Sequence, residues 1–114
     1  MNATVVEWLT AEVEELLTVG TVGLYEFREI LASSDFALDE NGAQAVAKAV
    51  ATDIVERNVA VICLLRWPRD DAVDGPEPLS VLDDVRAWGW LPAKLYFALI
   101  PVADLDQVGL AAGP

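Results

Sequence analysis

The chain has no histidine, one cysteine, only seven lysines and arginines together, and no long hydrophobic run; each shortage removes a class of function. Without imidazole there is no ordinary general base, no Ser-His-Asp arrangement and no nitrogen ligand for a metal, so a non-enzymatic protein is expected. A lone Cys63 cannot close an internal disulfide, which suits a reducing cytoplasm. It stands in an apolar stretch without a basic neighbour, the setting of a buried, inert thiol rather than a nucleophile. The longest apolar stretches, 59–65 and 95–103, fall well short of the roughly 20 residues that a membrane helix needs. The N-terminus shows no basic region followed by an apolar block, so no signal peptide is expected.

The shortage of bases is the sharpest of these. Seven bases stand against nineteen acids, a net charge of -12 and a pI near 4.1. Such a field repels phosphate backbones and anionic membranes and draws in basic proteins. It exceeds the magnitude of roughly 2–8 that solubility alone asks of a small domain. The charge is uneven. Residues 1–40 hold nine acids and one base, residues 41–67 two acids and three bases, and residues 68–114 eight acids and three bases.

What the chain does have is core-forming material: 54% of its 114 residues are apolar. That is enough for a single domain rather than disorder. Thr4 and Glu7 match a capping box, and Val6, Leu9, Val13, Leu16 and Leu17 follow at helical spacing up to Gly20. Thr21 is read as the cap of a second helix over 22–32, with Leu24, Phe27, Ile30 and Leu31 inward and Tyr25 at the edge. A third helix starts at Asp39 or Asn41. Its rows Val46, Val50, Ile54 and Ala43, Ala47, Ala51, Val55 form a broad small-residue face, and Asn58 is a left-handed stop.

The run 59–67 is β-branched and apolar without alternation, a strand covered on both faces. Residues 68–78 concentrate Asp, Gly and Pro and read as a loop; Ser80 and Asp83 suggest a cap for a short helix through Leu82, Val85 and Trp88. Residues 94–100 read as a second strand, antiparallel to 59–67, and residues 104–114 as a flexible tail.

Leu38-Asp39 followed by Ala43, Val46, Ala47, Val50, Ile54, Val55 and Val59, with the later Trp67-Pro68, Pro78-Leu79-Ser80 and Trp88, resembles small acidic winged-helix-like proteins of bacteria and phages. The resemblance implies an α+β, winged-helix-like fold over 1–103: three N-terminal helices, then a two-stranded antiparallel wing with a short inserted helix. It carries over no catalytic motif and no functional residue. A winged helix usually presents its third helix to DNA, and the cations available for that are Lys48, Arg57, Arg66 and Arg69. They are few against the 6–10 phosphate contacts of a typical DNA-binding module, and Asp70 and Asp71 follow Arg69 directly.

The expected function is therefore a protein–protein interaction domain, an acidic inhibitor or immunity-type protein that covers a basic surface of a partner. The expected contact residues are Glu12, Glu14, Glu15, Glu26, Asp70, Asp71, Asp74 and Trp90, with Trp88 in the core. A DNA-associated regulator and a structural subunit of a larger assembly are the alternatives. No cofactor or metal motif is found. In the acidic stretch 70–81 a calcium loop would need a carboxylate at its third and twelfth positions, where Ala72 and Val81 stand.

Overall fold

Backbone amides and carbonyls that leave water must find partners, and among the described residues most do so in three α-helices and one sheet. A computed structural model describes residues 3–108, with side chains described through residue 105. The helices are α1 (Ala3–Leu17), α2 (Leu24–Ala32) and α3 (Glu40–Glu56). The strands are β1 (Val22–Gly23), β2 (Ala60–Arg66), β3 (Asp71–Glu77) and β4 (Leu95–Pro101). All pairings are antiparallel, in the order β1-β4-β2-β3. Short 3-10 segments, Leu79–Asp83, Val85–Trp88, Pro92–Lys94 and Val102–Val108, make the connections around β4.

The central pair matches the reading of the sequence. β2 and β4 run antiparallel from Ala60 opposite Pro101 to Arg66 opposite Leu95. Because side chains alternate across a pleated strand, this register sorts them into two cores. Ala60, Ile62 and Leu99 face the helices, where they join Val5, Leu9, Val13 and Leu17 of α1, Leu24, Phe27 and Leu31 of α2, and Val46, Val50 and Ile54 of α3. Cys63, Leu65, Tyr96, Ala98 and Ile100 face the other way and join Leu105. Strand β2 lacks alternation because both its faces are packed.

The two-stranded wing does not survive. The sheet has four strands, and two of them fall where the sequence suggested a helix turn and a loop. Val22–Gly23 adds to β4, with Val22 opposite Leu99 and Gly23 opposite Ala98, so α2 starts at Leu24 and not at residue 22. Asp71–Glu77 adds to the other side of β2 through a ladder with register shifts around Leu64. An edge strand tolerates such irregularity, and a proline such as Pro76 is accommodated there more readily than in the middle of a sheet. The inserted helix is likewise replaced by two 3-10 turns, the second capped by Asp84, whose side chain accepts from the Arg86 amide at 2.9 Å.

Smaller expectations fare unevenly. Asp39 caps α3, its carboxylate accepting from the Gly42 amide at 2.7 Å, and Asn58 is left-handed with φ 59°. On α1 the buried row is Val5, Leu9, Val13 and Leu17; Val6 is only half-buried and Leu16 is exposed. A single row at four-residue spacing is fully buried on α1, with Val6 and Trp8 packed partly buried beside it, and the alanines of α3 let the helix approach closely. Thr4 lies inside the helix rather than at its cap. Of the expected tail 104–114, residues 104–108 belong to the 3-10 segment Val102–Val108, with Leu105 buried, and residues 109–114 lie outside the described residues.

Candidate partner-binding site

Three aromatic rings from three separate stretches meet beside the sheet. Tyr25 is the second residue of α2, and its position follows from the helix start. The Glu26 carboxylate accepts a hydrogen bond from the Gly23 amide at 2.6 Å, which fixes the first turn. Gly23 itself leaves room for the ring: a Cβ there would lie 2.4 Å from Tyr25 Cε1. Tyr96 projects from β4 and is nearly buried. Trp90 sits on the turn before β4, closed by the Leu91 amide donating to the Leu95 carbonyl at 2.8 Å. Its ring lies 4.9 Å from both Tyr25 and Tyr96, centroid to centroid, and the two tyrosines are 5.7 Å apart.

Carboxylates border this cluster. The Tyr96 hydroxyl donates to Asp70, which leaves the tight turn after β2 with φ 59°. Burial, and then the Asp70 carboxylate that accepts its proton, push the Tyr96 phenol far above its ordinary value. Tyr25 is also raised, first by burial and then by Glu26, Glu29 and Asp70. Both phenols are thus uncharged across the physiological range, and the negative charge at the site belongs to the acids. Trp90 remains 49% exposed, whereas Trp88 is buried and donates from Nε1 to the Leu82 carbonyl at 3.0 Å.

Of the residues expected to bind a partner, Glu26, Asp70 and Trp90 come together here. Tyr96 and Glu29 complete the group, and β4 carries no local mark that singles out Tyr96. The others lie elsewhere. Glu14 is ion-paired with Arg57, tying α1 to α3. Glu12 and Glu15 line a shallow hollow of about 340 Å³ with Leu16, Thr18 and Val19. Asp71 stands opposite Arg66 in the β2–β3 ladder.

Asp74 lies beside Glu77 on the edge strand, and burial followed by this neighbour raises the Glu77 pKa above its ordinary 4.5. A raised carboxyl favours folding while protonated and loses that contribution as pH rises through the raised value. Glu77→Gln is therefore expected to raise the melting temperature at pH about 7 and to leave it unchanged near pH 4, as read from thermal unfolding. A gap independent of pH would show that the Glu77 charge is not what the fold opposes.

The cations proposed for DNA divide in the same way. Lys48 pairs with Asp83, and Arg57 pairs with Glu14 and, at 2.9 Å, with Asp53. On α3 and at its C-terminal end they answer the protein's own acids. Arg66 and Arg69 are exposed at the end of the β2–β3 hairpin. Lys94 lies near them in the fold, its carbonyl accepting from the Trp67 amide at 2.9 Å.

Cys63 is buried, and burial pushes its thiol up to about 11, followed by the effects of Glu77 and Asp74. Among the described residues no group of three or more Cys, Asp or Glu side chains is placed to hold a metal ion, and no helix is long and apolar enough to cross a membrane. No protein-family model, no curated protein and no solved structure matches this chain.

Proposed function

We propose that this chain is a non-enzymatic protein–protein interaction domain, an acidic inhibitor or immunity-type protein, that covers a basic surface of a partner protein. The observation that carries this reading is the half-exposed Trp90, held against Tyr25 and Tyr96 and bordered by Glu26, Glu29 and Asp70. Each part has a physical use. The net charge of -12 steers a cationic partner at distances comparable to the Debye length. An aromatic anchor in a preorganised setting then supplies short-range binding energy, which charge at the rim does not. The reduced, buried Cys63 fits a cytoplasmic location.

The test is association with a purified basic ribonuclease, followed by interferometry over a salt series. The on-rate is expected to fall about tenfold between about 20 and 200 mM salt. The double substitution Glu29→Gln, Asp70→Asn should slow association further at the lowest salt. A salt-insensitive on-rate, or no association with cationic proteins at low salt, overturns the reading.

A further inference from the structure

We propose that the exposed face of Trp90 seats an arginine side chain from the partner, its guanidinium stacked flat on the indole; this rests on the reading above and names the group recognised. The ring geometry selects among cations. A cation enclosed between rings sits within about 6 Å of each centroid, which requires a gap between the rings. Here the rings touch, at 4.9, 4.9 and 5.7 Å, so no slot exists for a quaternary ammonium. What remains open is the exposed half of Trp90.

The protein's own cations leave that surface to a ligand. Among the described residues Lys94 stands over the other exposed indole, Trp67, with Nζ 5.5 Å from the ring centroid, and no such contact is made to Trp90. Arg28, Lys48, Arg57 and Arg86 are held in ion pairs. An indole is the strongest of the aromatic faces for a cation, and a planar, weakly hydrated guanidinium stacks on it better than an ammonium does. Tyr25 and Tyr96 fix the ring in advance, which lowers the ordering cost of binding. The neighbouring carboxylates of Glu26, Glu29 and Asp70 offset the incoming charge.

The experiment compares hexa-arginine, hexa-lysine and a trimethyl-lysine peptide by calorimetry at about 20 mM salt. Hexa-arginine is expected to bind about threefold more tightly than hexa-lysine. Trp90→Ala and Trp90→Leu should abolish that preference and leave a common, salt-sensitive affinity; the leucine keeps an apolar cover over the tyrosines. Trp67→Ala should preserve the preference. Equal affinities in the parent protein, a preference that outlasts both Trp90 variants, or tighter binding of the trimethyl-lysine peptide overturns the inference while the acid-directed reading stands. If no cationic peptide binds, the broader reading falls and this inference with it.

Discussion

Phe27→Ala is expected to lower the unfolding free energy by about 3–5 kcal/mol, read from chemical denaturation. Phe27 is fully buried on α2, and its ring meets Trp88 at 5.6 Å and 74°. That contact, together with the Trp88 hydrogen bond to the Leu82 carbonyl, holds the 3-10 segments onto the helices. Truncation removes the transfer energy of a large ring and leaves a cavity that rigid neighbours on α1 and α3 cannot fill. A domain of this size has about 5–15 kcal/mol in total, so the loss is a large share of the whole. Ile30→Ala, on the half-buried side of the same helix, should cost much less. Similar losses for the two would mean that Phe27 is not the keystone of this core.

Gly75→Val carries the second-largest effect, about 2–4 kcal/mol. Gly75 has φ 129°, a conformation that side chains rarely adopt. A Cβ there would also lie 2.9 Å from Cys63 Sγ and 3.0 Å from Cys63 Cα. The second contact is with backbone in the neighbouring strand and cannot be relieved by a rotamer change. Cys63→Ala should therefore restore only part of the loss. Because β3 is an edge strand, the damage has a ceiling: once detaching β3 costs less than the strain, the strand lets go. Hydrogen exchange should then show the β2 amides that face β3 losing protection before those that face β4. Uniform loss across the sheet would show instead that β3 and the core unfold as one unit.

Gly75 also shows where local reading of the chain stops. Asp71–Glu77 has the composition of a turn, with two Asp, a Gly and a Pro, and no periodicity marks it as a strand. It is one because β2 has a free side whose backbone groups need partners, and this segment returns from a tight turn directly beside them. Val22–Gly23 is a strand for the same reason on the far side of β4. With these two additions the expected two-stranded wing gives way to a four-stranded sheet. The expected strand count rested on element order, and element order does not record which edges become filled.

The helices were legible because their information is local. The cap at Asp39, the small-residue face of α3 and the left-handed Asn58 each depend on residues within one or two turns, and the apolar run 59–67 already read as a strand covered on both faces. The scarcity of bases and the absence of histidine likewise set the charge and narrow the chemistry before any folding is considered. The aromatic site lay beyond such reading. Tyr25, Asp70, Trp90 and Tyr96 are separated by up to 71 positions, and the pairing of β4 with both β1 and β2, with the turn before β4, brings them into contact. Periodicity and composition describe neighbours along the chain, whereas a binding surface is made of neighbours in space, and packing chooses those.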